Sequence, residues 1–298
     1  MLRRILFMTA VISALIPLAA ASAAERPFAL RYSTNVNGQI TSAANTSMQC
    51  PNDTVDASLN TQCNQARAGT NARNNNSFDM RMLDVDSDPS TFNSSRADLA
   101  LPSGYEVLFA GLYWTGDTSR GDVIKGTNGF VGAPTAAPNA GAIGQVLFTV
   151  PGASTSTAVT ASSVDQTTTK EYGAFADVTS LVRAAGPGSY TVANVQAGTG
   201  GNRGAGWTLV VAYADADEPL RNLTVSDGFL KVAGQALVEI PLSGFKTPSS
   251  GAVKTEVGVA AYEGDAGVTG DYLTLNDQRL VDAVHLSLIH ISEPTRPY

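Results

Sequence analysis

The sequence predicts an all-β protein, and three observations carry that prediction. Short runs of β-branched and aromatic residues recur along the chain. Glycines and prolines, 28 and 14 of them, separate those runs as turns would. One segment alone, near 177–185, has a convincing helical pattern. These features favour an antiparallel β-sandwich, of jelly-roll or Ig-like type, with one short helix.

The densest run of strand-forming residues, 104–117, predicts a central strand. Because side chains alternate along a strand, Val107 and Phe109 are predicted on one face, with Leu108 and Trp114 on the other. Both faces of the run are apolar, so we expect the strand to be covered on both sides.

Other strand-like runs precede and follow this one. Between the first two of them, Asn37 and Gly38 form a pair typical of a tight turn. The runs lie at 27–32, 39–48, 78–86, 145–150, 189–195, 207–213, 220–226, 229–232, 236–240, 253–262 and 271–275.

The helix is predicted from its ends and its inner face. Asp177 is placed to cap it, Leu181 and Val182 are predicted to face the core, and Gly186 is placed to end it.

A glycine-rich segment at 198–206 resembles a phosphate-binding loop only in composition. It is followed by a strand-like run rather than a helix, and it lacks the lysine of such loops. We interpret it as a hairpin turn.

The first residues, 1–24, have the pattern of a secretory signal peptide. Arg3 and Arg4 precede an apolar run at 5–18, and small residues at Ala21 and Ala23 mark a cleavage site. The apolar run is short for a membrane span, and no second run of spanning length follows it, so no membrane insertion of the visible mature chain is predicted. We expect the mature chain to be exported to the cell surface or the extracellular space, with the periplasm as the alternative.

Export places the two cysteines in an oxidising compartment. Cys50 and Cys63 are therefore predicted to form a disulfide that closes the loop 51–62. The formal net charge of −7 disfavours a nucleic-acid partner.

Two acidic loops are candidate calcium sites. In the first, Asp84, Asp86 and Asp88 occupy alternate positions that suit chelation through oxygen, although the complete helix-loop-helix pattern is absent. In the second, Asp265 and Asp271 lie among glycines. The alternative interpretation of both loops is a solvated acidic turn.

No catalytic motif is visible in the sequence. It contains no Gly-x-Ser-x-Gly motif. Its two histidines, His285 and His290, lie in the C-terminal segment 285–298, which does not resemble natural coding sequence and offers no base for a nucleophile. We therefore predict that the protein is not an enzyme. Trp114 and Trp207 are possible platforms for sugar stacking, but both lie in predicted strands, which favours core packing.

The length permits one large sandwich or two smaller ones. No composition break suits a linker and no internal repeat is visible, so we expect a single elaborated β-sandwich domain at 25–284.

Several segments together carry a resemblance to a known family. They are 28–35 with Asn37 and Gly38, 84–95, 108–114, 206–213, 219–224, 262–265 and 269–271. These segments are similar to the N-terminal region of large exported bacterial proteins that carry tandem Ig-like conserved-repeat domains further on. The resemblance implies a structural or adhesive module, with surface glycans or other surface proteins as partners, and no residue inherits a role. A calcium- or carbohydrate-binding module is the alternative.

The last residues of the chain, from 285 onward, do not have the sequence of a natural protein segment. The segment 286–296 is similar to the translated transposon-end adapter used in sequencing libraries. We therefore interpret 285–298 as an adapter artefact and expect the natural chain to continue beyond about Val284.

Overall fold

The computed structural model describes residues 26–51, 56–126, 129–231, 238–247, 249–251, 253–262 and 273–279. The predicted signal peptide at 1–24, the carboxylates of Asp265 and Asp271, and the segment 285–298 lie outside these described residues. The proposed domain boundaries at 25 and 284 therefore stay a prediction.

The described chain consists mainly of strands, with helices at α1 (Ala57–Arg67) and α2 (Thr179–Ala185) and short 3-10 turns at Asn75–Ser77 and Ala140–Ala142. The strands are β1 (Arg26–Thr46), β2 (Met48–Gln49), β3 (Arg81–Met82), β4 (Ser94–Leu99), β5 (Glu106–Asp117), β6 (Ile124–Gly126), β7 (Gly129–Val131), β8 (Gln145–Thr149), β9 (Thr157–Thr160), β10 (Ser163–Gln166), β11 (Glu171–Asp177), β12 (Gly188–Ala193), β13 (Ala205–Ala214), β14 (Leu220–Phe229), β15 (Thr274–Leu275) and β16 (Gln278–Arg279).

The strands form a large and a small antiparallel sheet. The large sheet has the order β10-β11-β5-β13-β1-β14, and the small sheet has the order β4-β12-β8-β9. Short ribbons pair β2 with β3, β6 with β7 and β15 with β16. The predicted all-β sandwich is therefore confirmed.

The main hydrophobic core lies between the two sheets. Trp114 and Trp207 contribute to it from the large sheet, and Phe148 and Tyr190 contribute to it from the small one. The indole nitrogen of Trp207 donates a hydrogen bond to Ser95 Oγ in β4 over 2.7 Å. Since a buried indole N–H needs an acceptor, this bond fixes the small sheet against the large one.

The central strand β5 is buried on both faces as predicted, but one face assignment is wrong. Its register against β13 shifts between Ala212 and Tyr213, so Leu108 is an extra, bulged residue. A bulge reverses the alternation beyond it, and Val107 therefore joins the main core. Phe109 lies on the opposite face.

Strand β1 contradicts the predicted tight turn at Asn37 and Gly38. The strand continues through these residues and changes its partner there, because Asn37 pairs with β14 and Gly38 pairs with β13. A Cβ at Gly38 would lie 2.1 Å from the carbonyl oxygen of Tyr213. The glycine is needed for close backbone approach and not for a turn.

Helix α2 confirms the predicted helix near 177–185. The predicted cap at Asp177 is wrong by one position, because Val178 is the N-cap residue and its side chain makes no capping hydrogen bond. The carboxylate of Asp177 accepts a hydrogen bond from the backbone N–H of Thr179 over 2.9 Å. Val182 is fully buried in the core, and the chain leaves the helix at Gly186 with a φ of 73°.

Helix α1 was not predicted, so the expectation of a single helix is wrong. Its sequence contains two Asn and two Gln among 11 residues and gives no clear apolar stripe. The helix begins after Asp56, whose side chain accepts a hydrogen bond from Leu59 N over 3.0 Å. Cys63 and Ala66 are its buried residues.

The glycine-rich segment joins the two sheets and is not a hairpin turn. It connects β12 in the small sheet to β13 in the large one. A Cβ at Gly198 would lie 1.9 Å from the backbone oxygen of Ser119, so the loop is packed against its neighbours too closely for a larger residue. The element that follows is a strand, as predicted.

Residues 253–262 were predicted as a strand, but they form no assigned strand in the structure. Neither of the two described helices has the length and hydropathy that a bilayer crossing requires.

Candidate functional site

The first predicted site, the acidic loop at Asp84, Asp86 and Asp88, is a hydrogen-bonded turn between β3 and β4. Asp84 Oδ1 accepts a bond from Ser94 Oγ over 2.7 Å. Asp86 Oδ1 accepts bonds from Asp88 N over 2.9 Å and from Thr91 Oγ1 over 3.0 Å. One oxygen of each carboxylate therefore stabilises the local backbone.

The third carboxylate of the loop has the same role. Asp88 Oδ1 accepts bonds from the backbone N–H of Ser90 over 2.9 Å and from its hydroxyl over 2.7 Å. These bonds lower the pKa of Asp88, first through the backbone N–H and then through the hydroxyl.

Within the described residues, no group of three or more His, Cys, Asp or Glu side chains is arranged to hold a metal ion. The structure thus brings the carboxylates of Asp84, Asp86 and Asp88 into one turn but not into a ligand cluster. Asp265 and Asp271 lie outside the described residues. Calcium binding stays a prediction of the sequence.

Two substitutions at Asp86 distinguish a structural turn from a calcium-binding loop. Asp86→Ala removes an acceptor of two hydrogen bonds and is expected to lower the free energy of unfolding by about 1 kcal/mol. Asp86→Asn keeps an oxygen at the same place and is expected to cost less than about 0.5 kcal/mol. Thermal melts with and without millimolar calcium provide the measurement.

The two interpretations of the loop differ in one outcome of that measurement. A wild-type melting temperature that rises with calcium, and an Asp86→Asn variant that no longer responds, would support a metal site. A melting temperature that millimolar calcium leaves unmoved would contradict it.

The two candidate stacking platforms lie in the main core. Trp114 is 1% exposed and Trp207 is 0% exposed. Each indole nitrogen donates a hydrogen bond inside the protein, and that of Trp114 reaches the backbone oxygen of Ile143 over 2.8 Å. Their role is packing between the sheets, as their positions in predicted strands suggested.

The carboxylate of Asp227 in β14 accepts four hydrogen bonds from three side chains that are distant in the sequence. Its side chain is 9% exposed. Arg26 Nη1 donates to Oδ1 over 3.0 Å, and Arg31 donates to both carboxylate oxygens over 2.7 and 3.0 Å. The hydroxyl of Tyr113 donates to Oδ2 over 3.2 Å. We call these four residues the Asp227 clasp.

The Asp227 clasp connects opposite edges of the large sheet. Arg26 in β1 also forms an ion pair with Asp165 in β10 over 2.8 Å. The guanidinium of Arg31 lies 4.1 Å from the ring centre of Phe175 in β11. Because β10 and β14 are the two ends of the strand order, these contacts require the sheet to curl toward a half-barrel.

Aromatic side chains fill the inside of this curl. The rings of Tyr32 and Phe109 stack with their centres 5.0 Å apart. The rings of Tyr113 and Phe175 lie 4.9 Å apart at a tilt of 45°. This second core is separate from the one between the sheets, and the clasp closes it at one end.

The electrostatics of the clasp suit a structural role. Burial alone would raise the pKa of Asp227, but the hydrogen bonds from Arg31 and Arg26 outweigh burial and lower it. Burial, followed by the nearby charge of Asp227, raises the pKa of Tyr113. At neutral pH the carboxylate is thus a fixed anion and the phenol keeps its proton, which disfavours proton transfer between them.

Sequence reasoning missed the Asp227 clasp because its members are far apart in the chain. Arg26 and Arg31 are separated from Asp227 by 201 and 196 positions. No local pattern links them. The only signal was the occurrence of two arginines in an otherwise sparsely charged first strand.

The predicted disulfide between Cys50 and Cys63 is confirmed, with a Cα–Cα distance of 5.8 Å. It joins helix α1 to the chain that follows β2. The two sulfurs pack in a smaller apolar cluster with Met48, Phe78 and Met80.

No protein-family model, no curated protein and no solved structure matches this chain.

Proposed function

We propose that this chain is a non-catalytic structural and adhesive module of an exported bacterial protein that works at the cell surface. The observation that carries the proposal is the buried Cys50–Cys63 disulfide. A disulfide of this kind persists in an oxidising compartment, which the predicted signal peptide at 1–24 would supply.

The hydrogen bonds accepted by the buried and turn-forming Asp carboxylates support a structural role. The carboxylates of Asp84, Asp86 and Asp88 stabilise a turn, and that of Asp227 closes the curled sheet. A rigid scaffold of this type presents its loops to partners, which we expect to be surface glycans or other surface proteins.

Export is tested by expressing the full chain with a C-terminal tag in a Gram-negative host. We expect the tagged protein outside the cytoplasm, with a new N-terminus after Ala23 or Ala24. The protein is denatured before an alkylating reagent is added, so that burial of the cysteines does not protect them. Because Cys50 and Cys63 would be bonded, neither should react before reduction.

The matched control is a variant that lacks residues 1–24, which should stay in the cytoplasm with both thiols open to alkylation. A full chain that keeps Met1, remains cytoplasmic and carries two alkylated thiols would contradict the proposal.

Adhesion is tested separately with the purified mature chain immobilised on beads. We expect retention on a panel of bacterial surface glycans or on surface-protein extracts, relative to beads that carry the heat-denatured chain. Equal retention of folded and denatured protein would contradict the adhesive part of the proposal.

A further inference from the structure

A segment near the end of the described chain exposes several apolar side chains. Residues 253–261 are all exposed. Val253, Val257 and Val259, which share one side of an extended chain, are 52%, 46% and 50% exposed. No residue from 253 to 262 has a positive φ, so the backbone is compatible with a strand.

The opposite side of the segment faces the large sheet. Glu256 Oε1 lies 3.8 Å from the guanidinium of Arg221, and the hydroxyl of Tyr262 donates to Thr208 Oγ1 over 2.8 Å. These two contacts orient the segment, and the valines therefore point away from the protein. No backbone–backbone hydrogen bond joins it to the other described residues.

The sequence of the segment is symmetric about Thr255. It reads Val, Lys, Thr, Glu, Val from 253 to 257. If two such segments pair antiparallel with Thr255 opposite Thr255, each Lys254 stands opposite Glu256 of the other copy. Each Val253 then stands opposite Val257. The four pairs that do not involve Thr255 are all favourable cross-strand pairs.

We propose that the segment 253–257 is a self-association surface, on which a second copy of this chain adds its own segment as an antiparallel strand. The two-fold axis passes between the two Thr255 residues, as an interface made by one patch on both copies requires. The side chain of Glu256 is 70% exposed, so Lys254 of the second copy can reach its carboxylate beside Arg221. This dimer goes beyond the proposed surface function and does not depend on it.

Charge reversal tests both the surface and its register. Lys254→Glu places two glutamates opposite two glutamates in a dimer, and Glu256→Lys places lysines opposite lysines. Each variant is expected to weaken self-association at least about tenfold, because two attractive pairs become repulsive. An equimolar mixture of the two variants restores opposite charges at both pairs and is expected to form a mixed dimer.

The measurement is light scattering on the purified mature chain across a wide concentration range, with far-UV circular dichroism to show that each variant is folded. A wild-type chain that stays monomeric would overturn the proposal. A dimer that both variants retain would place the interface elsewhere, and variants that lose the dimer but fail to associate when mixed would overturn the register.

Discussion

The double variant Cys50→Ala/Cys63→Ala is expected to lose about 3 kcal/mol of unfolding free energy. The disulfide closes a short loop with a sequence separation of 13, and its main effect is to restrict the unfolded chain. Helix α1 depends on it further, because an isolated helix of 11 residues is marginal in water. Urea unfolding followed by circular dichroism provides the measurement.

Reduction of the wild-type protein is the internal control for that experiment. Dithiothreitol should shift the wild-type unfolding curve toward that of the double variant and leave the variant unchanged. Alanine is chosen over serine because Cys50 and Cys63 lie in an apolar cluster, where a new hydroxyl would add its own cost. If reduced and oxidised wild type unfold at the same urea concentration, the disulfide has no structural role.

The variant Asp227→Asn is expected to lose about 2–3 kcal/mol at neutral pH. It removes the anion between two arginines and leaves their charges partly buried against the sheet. The expected value lies at the low end for a broken buried pair, since the side chains of Arg26 and Arg31 are each 29% exposed.

The contribution of Asp227 to the free energy of unfolding decreases as the pH falls. Its pKa is lower in the folded protein than in the unfolded chain, so its stabilising contribution is fully present above the unfolded pKa of about 4. The contribution is lost as the pH falls from there through the folded pKa. The difference in unfolding free energy between wild type and Asp227→Asn should therefore be constant near neutrality and shrink below about pH 4.

The matched control for the clasp is Asp165→Asn. Among the residues that the structure describes, this carboxylate pairs with Arg26 alone, and it is more exposed than that of Asp227, so its loss is expected to cost less than about 1 kcal/mol. Equal costs for Asp165→Asn and Asp227→Asn would mean that the clasp does not close the sheet.

Local features of the fold were predictable from the sequence. Alternation and β-branched residues identified β5, the Asp177 and Gly186 signals identified α2, and the cysteine count together with the predicted signal peptide identified the disulfide. Each of these depends on neighbouring residues or on composition, which a single sequence contains.

Features that depend on distant partners were not predictable. The bulge at Leu108 and the straight path of β1 through Gly38 are set by pairing with β13 and β14. Helix α1 is held by a disulfide and a small apolar cluster rather than by its own pattern. The residues of the Asp227 clasp and Asp165 come together only where the large sheet is curled.

Strand β1 has a consequence for how the chain folds. It is the first described element to be synthesised, yet both of its partners, β13 and β14, come from residues beyond Ala205. Long-range pairing makes folding slow, because loop-closure entropy is lost before the contacts form. The large sheet of a nascent chain therefore cannot close until β13 and β14 have been synthesised.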